Sequence, residues 1–274
     1  MFSLFSQTSP LQDLGLLDPK VTTLKLAIAG REFTITQSPG SLQSERKEGT
    51  TGAAVWQTSV RVAEWLDSSM NILFTGGLLE GSSKVLELGS GISGIVPCVL
   101  APKVDTVVAT DQQHLLKILR ENIAANSIRT PAKRSKAHAP RQSTAVRVIS
   151  LDWEEDDAPN VLAAHGFSNG AIDVIFTNDC IYNYALIDPL MQTCRDICTV
   201  RCRKDANSGH KGVPTVFVID QQLRQAEVFE QWLQTALRWF RVWRVPDELL
   251  TDGLKGGSGF TVHVCILRVG DLPG

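Results

Sequence analysis

The chain predicts an α/β fold: a Rossmann-like, seven-stranded, mostly parallel sheet with helices on both faces and a C-terminal antiparallel strand pair. Two observations carry this. Short apolar runs alternate with longer stretches of helical periodicity from residue 84 onward, the mark of a parallel sheet covered by crossover helices. After the last helical stretch come two strand-like runs, near 241–245 and 259–268, joined by the glycine-rich Asp252 to Gly259, which adds an antiparallel pair.

In chain order, Thr22 to Ile28 and Phe33 to Thr36 alternate apolar and polar residues around Ala29-Gly30-Arg31 and predict a β-hairpin. Ser38 to Gly52 is polar and predicts a loop. Ala54 to Leu66 places Val55, Ser59, Val62 and Leu66 along one stripe, a helix packed ahead of the core strands. Strands are then expected near 84–88, 105–110, 145–150, 171–177 and 213–220, with helices near 93–100, 112–126, 185–200 and 225–239. Two basic segments, Arg129 to Thr144 and Arg201 to Lys211, precede strands and so belong at the edge away from a ligand. They predict solvated loops.

At 274 residues with 43% apolar content the chain can bury a full core. A net charge of −2 argues against a dedicated nucleic-acid binder, and no apolar run approaches a membrane span. Met1 to Pro10 lacks the basic start of a signal peptide, and six cysteines without a CxxC pair suggest reduced thiols, so a cytoplasmic location is expected. Cys194, Cys198 and Cys202 follow CxxxCxxxC, one residue longer than the iron–sulfur pattern of radical enzymes. Spacing of four stacks them on one helix face as core. No metal site is expected.

The strand Lys84-Val-Leu-Glu-Leu runs into Gly89-Ser-Gly-Ile-Ser-Gly94, a tight turn opening a helix. Glycines there admit close approach of a nucleotide-bearing ligand. Glu87, two residues before the first glycine, would repel a pyrophosphate but can hold, directly or through water, the ammonium of an amino-acid moiety. S-adenosylmethionine carries that ammonium and no phosphate. Asp111 ends the next strand, placed to accept both ribose hydroxyls or to cap the following helix. After the third strand, Trp153 can cover an adenine ring and Asp152 can accept from its amine, although a tryptophan at a strand end also serves as core. Trp56 either closes the same pocket or pins its helix. The acidic run Asp152 to Asp157 lies on the ligand side, where Glu154, Glu155, Asp156 and Asp157 form a rim that would attract a basic partner.

The fourth strand ends Asn178-Asp-Cys-Ile-Tyr182. Asp179 and Tyr182 can orient an incoming amine and wall its channel, while the Asp/Asn-Pro-Pro-Tyr of nucleic-acid and glutamine amide methylation is absent. A lone carboxylate also favours the ammonium over the reactive amine, which gives Asp179 an orienting role rather than that of a base. From Thr50 to Arg268 the chain resembles the seven-β-strand protein-lysine methyltransferases of methyltransferase family 16. The resemblance is carried by GAAVWQTSVRVAEWL, VLELGSGISGI, ATD, LDW, NDCIY and GFTVHVCILR. Within that family the residues after the motif look like the fungal branch, ribosomal lysine N-methyltransferase 5.

The resemblance implies that Trp56, Gly89, Ser90, Gly91, Asp111, Trp153 and Asn178 line the cofactor and that Asp179 with Tyr182 forms the acceptor motif. It implies an N-terminal extension over 1–53, a methyltransferase domain over 54–274, and a basic protein substrate, a ribosomal protein of the large subunit. A non-catalytic binding module on this fold, and a methyltransferase for RNA or a small molecule, stay open as alternatives. Cys180 and Asn178 depart from the family's usual residues.

Overall fold

The computed structural model describes residues 15–42, 51–128, 146–167, 172–202 and 213–268, and the backbone of 203–208. Strands β1 (Thr23–Ile28) and β2 (Arg31–Thr36) form the expected hairpin around Ala29 and Gly30, both at positive φ as a two-residue turn requires. Its outer edge is not left open. Asn122 and Asn126, one turn apart on a helix of the main body, each accept from and donate to the backbone of Thr36 and Thr34 respectively, at 2.8–2.9 Å. Two side-chain amides thus take the place of a third strand and fasten the hairpin.

Helix α1 (Gln57–Asp67) is followed by β3 (Lys84–Leu88), α2 (Ile95–Leu100), β4 (Thr106–Asp111), α3 (Leu116–Asn126), β5 (Val146–Ser150), α4 (Ala158–Ala164) and β6 (Val174–Asn178). Then come α5 (Tyr184–Ser208), β7 (Val216–Gln222), α6 (Ala226–Trp239), β8 (Phe240–Arg244) and β9 (Phe260–Leu267). The seven-stranded sheet has the order β5-β4-β3-β6-β7-β9-β8, with the first five strands parallel and β9 antiparallel to both neighbours. The expected fold class holds.

Strand side chains divide by parity between two cores. Val85, Val107, Phe176 and Val218 meet α1, α2 and α3 on one face, while Leu86, Val108, Ile175 and Phe217 meet α4, α5 and α6 on the other. Cys194 and Cys198 are buried in the second core, as their spacing predicted.

Three expectations are corrected. The seven-residue α4, capped by the Asp157 carboxylate accepting from the Asn160 amide with Pro159 in the first turn, was not read from the sequence. Helix α3 begins at Leu116 rather than 112, so Asp111 is not its cap. Helix α5 continues through Ser208, and Arg201, expected in a basic loop, is helical and paired with Asp173 at 2.5 Å. The other basic segment, 129–144, lies outside the described residues. No helix among the described residues is long and apolar enough to cross a membrane.

Candidate active site

Chain direction reverses its lateral progress between β3 and β6, and the crevice beyond their carboxyl ends is where open α/β sheets hold ligands. A cavity of about 480 Å³ occupies it. Strand ends and the turns that follow them wall it: Gly89 to Gly91 after β3, Asp111 and Gln112 at the end of β4, Asp152 to Glu154 after β5, and Asn178, Asp179, Cys180 and Tyr182 at the end of β6. Thr51 and Trp56, ahead of α1, close the remaining side. Every residue expected at the cofactor, Glu87 apart, lines this one space, as do Asp179 and Tyr182.

The glycine turn is dictated by crowding as well as by backbone. Gly89 has φ 71°, and a Cβ there would stand 2.8 Å from Cys180 Sγ and 3.0 Å from the Trp153 ring. Gly94 has φ 62°, and its Cβ would strike Ile123 at 2.4 Å, preventing the close packing of α2 on α3.

Asp111 binds the turn directly. Its Oδ2 accepts from the Gly91 amide at 2.7 Å and its Oδ1 from the Gln112 amide at 2.8 Å. Each oxygen keeps a second acceptor position. Burial raises this carboxyl above its ordinary range, against the pull of the two amides. Gln112 also donates to Asp152 Oδ2 at 2.8 Å, while the Glu154 amide takes Asp152 Oδ1 at 2.9 Å, so Asp152 is held as part of the turn that presents Trp153. Trp56 donates its indole N–H to Thr51 O at 2.9 Å, which fixes the ring on the cavity wall.

Glu87 differs from expectation. It does not line the cavity but sits behind it, accepting from Ser90 Oγ at 2.5 Å and from Asn178 Nδ2. It therefore orients two residues that line the cavity. Burial raises its pKa to about 7, partly offset by those two donors. Because the folded pKa lies above the unfolded value of 4.5, the native state keeps the proton longer than the unfolded chain. Stability from this group is full below about pH 4.5 and is lost as pH rises to about 7, by roughly 3 kcal/mol in all. Urea unfolding at pH 5 and pH 8 should show that loss in the wild type and not in Glu87→Gln. Equal pH dependence in both proteins would contradict it.

The acceptor motif also holds a surprise. Asp179 adopts φ 57°, which turns its side chain out of line with the strand, and its carboxylate is only 2% exposed. Both oxygens are engaged by Arg224, at 2.7 Å (Oδ1–Nη1) and 2.5 Å (Oδ2–Nη2), and Oδ1 also accepts from the Gln222 amide at 3.2 Å. Tyr182 stands at the mouth, its hydroxyl 3.0 Å from Thr51 Oγ1, and burial raises its pKa. Gln112, Thr51 and Arg224 escaped the sequence reading. Gln112, directly after Asp111, was the one with a local signal.

The cavity suits the cofactor expected from the sequence. Gly89 and Trp153 form a flat, close-fitting cradle, Asp111 offers two free acceptor positions side by side, and the buried Asn178 Oδ1 has no partner among the described residues. Residues 37–204 match the family model described as lysine methyltransferase. The chain belongs to the lysine methyltransferase family. S-adenosylmethionine is the methyl donor that membership brings.

Individual relatives of this chain are matched over different shares of their own length. Over 230 residues the chain is 32% identical to a Schizosaccharomyces pombe protein named diaminohydroxyphosphoribosylamino-pyrimidine deaminase, covering 84% of this chain and 48% of that one. It is 29% identical over 272 residues to ribosomal lysine N-methyltransferase 5 of Zygosaccharomyces rouxii, covering 82% of each. Against the protein of the same name in Saccharomyces cerevisiae it is 28% identical over 231 residues, covering 63% of each. The chain thus spans about half the length of the fission-yeast relative.

Proposed function

We propose that this chain is an S-adenosylmethionine-dependent protein-lysine N-methyltransferase that modifies a ribosomal protein of the large subunit in the cytoplasm. The observation that carries it is the single cavity in which a nucleoside-type end, with Asp111, Trp153 and the glycine turn, meets the aromatic mouth at Tyr182 and the Asp179 motif. The bound cofactor supplies an electrophilic methyl group. Asp111 holds the ribose, Trp153 covers the base, Ser90 and Asn178 receive the amino-acid end, and Tyr182 walls the approach of a side-chain amine. Bringing the two reacting atoms into line supplies much of the rate.

The names of the Zygosaccharomyces and Saccharomyces relatives support the ribosomal substrate, and so does charge. Glu154 and Glu155 are exposed beside the mouth, Glu154 lining the cavity, and attract a basic partner. The other three acids of that run also hold local structure: Asp152 accepts from Gln112 and the Glu154 amide, Asp156 Oδ2 accepts from the Asp152 amide at 2.8 Å, and Asp157 caps α4, the last two remaining exposed. The test is transfer of label from S-adenosylmethionine to ribosomal proteins of a strain lacking the enzyme. Glu154→Lys/Glu155→Lys should raise the apparent KM for the labelled protein by about tenfold and flatten its salt dependence. Label in another protein and in no ribosomal one would refute the ribosomal assignment.

A further inference from the structure

The Asp179 carboxylate that the sequence offers to the acceptor is closed by Arg224, and the guanidinium is itself held on every side. It lies over the Trp56 ring at 5.1 Å, and its Nη2 donates to Gln222 Oε1 at 2.7 Å. The segment Gly15 to Leu17 passes over it. Leu16 pairs with Trp56, the Gln57 amide donates to Gly15 O, and a Cβ at Gly15 would stand 2.0 Å from Gln222 Oε1 and 3.1 Å from Arg224 Nη2. Such a planar two-pronged pair, stacked on an indole, is a fixed element rather than a loose surface contact.

Charge at the mouth decides the state of an incoming lysine. Transfer to nitrogen needs the free amine, because the lone pair forms the new N–C bond as the sulfonium S–C bond breaks, and the amine's proton must already have left to solvent. A bare carboxylate within about 4–6 Å would hold the lysine as ammonium, raising its pKa by about 1–3 units. The charged or titratable groups facing this region are Glu87 from β3, Asp111 from β4, Asp152 and Glu154 after β5, Asp179, Cys180 and Tyr182 after β6, and Asp220 with Arg224 on and after β7. Burial keeps Glu87 and Asp220 toward their protonated forms and raises the Cys180 thiol and the Tyr182 phenol. No described residue lining the main cavity is a lysine, arginine or histidine. Arg224 stands on the far side of Tyr182, lining a small cleft of about 40 Å³ that Tyr182 shares.

We infer that Arg224 is a positioning residue of the acceptor motif: its two-pronged pair turns Asp179 from a bare carboxylate into a neutral unit, so that a lysine entering past Tyr182 meets no unpaired carboxylate from the motif itself to keep it an ammonium. The inference rests on the lysine-methyltransferase reading. It removes the conflict that a carboxylate motif poses for amine chemistry, since Asp179 then shapes the channel without stabilising the unreactive form of the substrate.

The experiment is single-turnover methyl transfer from labelled S-adenosylmethionine to purified large-subunit ribosomal proteins between pH 6 and 10, with S-adenosylhomocysteine affinity measured by calorimetry for each protein. Arg224→Gln should move the ascending pH limb upward by about one unit or more, so that it is about tenfold slower at pH 7 and recovers in alkali, with cofactor affinity within a few-fold. Asp179→Asn/Arg224→Gln, which removes both charges, should return the limb to its wild-type position. Arg224→Lys keeps the charge and loses the fork, so its rate should fall while its limb stays in place. A loss in Arg224→Gln that is uniform across pH, or an unaltered profile, would overturn the inference while leaving lysine methylation intact. If Arg224→Gln does not bind S-adenosylhomocysteine, a displaced limb in Arg224→Lys overturns it equally. Absence of lysine methylation by the wild type overturns the underlying reading instead.

Discussion

Asp111→Ala is expected to weaken S-adenosylhomocysteine binding roughly 10- to 1000-fold. The substitution removes the two acceptor positions proposed for the ribose, at about 1.5–3 kcal/mol for each charged hydrogen bond and less than additively. It also releases the Gly91 and Gln112 amides that the carboxylate now holds at 2.7 and 2.8 Å, so the glycine turn loses its brace. Asp111→Asn, which keeps one acceptor, should fall between. Burial raises this carboxyl, and protonation removes acceptor capacity, so wild-type affinity should decline on acidification at higher pH than an ordinary aspartate would give. Calorimetry reads all three effects. Unchanged affinity in Asp111→Ala would show that the carboxylate serves the turn and not the ligand.

Asp179→Asn should leave cofactor affinity within a few-fold and lower turnover by about 100-fold, the scale on which misplaced reacting groups act. Asparagine suits this position because it tolerates the left-handed backbone at φ 57° and keeps the side chain's shape. What it cannot keep is the charge that balances Arg224. The guanidinium then stands uncompensated beside Tyr182, at the approach to the cavity. Initial rates at saturating cofactor, with binding measured separately, distinguish this outcome from loss of the fold. Turnover at the wild-type rate would mean that the acceptor motif lies elsewhere.

These two carboxylates show what a sequence can and cannot disclose. The place of Asp111 on the cavity wall was legible because it is local to one βαβ unit: a strand end, at the usual distance from a glycine turn. The strands themselves were legible for the same reason, since β3 is bounded by charged Lys84 and Gly89 and buries nearly all between. Helix α4 was hidden because seven residues span too little for periodicity, and the run from Asp152 to Asp157 reads as one acidic stretch although its last member is a cap. All four acids from Glu154 to Asp157 are exposed, and the last two also hold local structure. Glu87 was read as facing the ligand because its spacing from Gly89 is right. Strand parity instead sends it behind Ser90 and Asn178.

The Arg224–Asp179 pair had no local signal at all. Its members are 45 residues apart and meet because β6 and β7 are neighbours in register, Asn178 beside Asp220, so the turns that follow them emerge together. The hairpin's attachment is of the same kind: Asn122 and Asn126 look like ordinary polar helix residues until β2 is laid against them. Long-range polar pairs are thus what single-chain reading misses, while periodicity and glycine turns are what it finds.

The central claim is that this cavity delivers a methyl group to the ε-nitrogen of lysine. The most direct measurement is mass spectrometry of the protein labelled by the enzyme with S-adenosylmethionine carrying a heavy-isotope methyl group, read after proteolysis to the modified residue. The expected result is the heavy methyl on a lysine side chain, accumulating about 100-fold more slowly with Asp179→Asn under the same conditions. A heavy methyl on another side chain or on RNA, with every lysine unmodified, would contradict it.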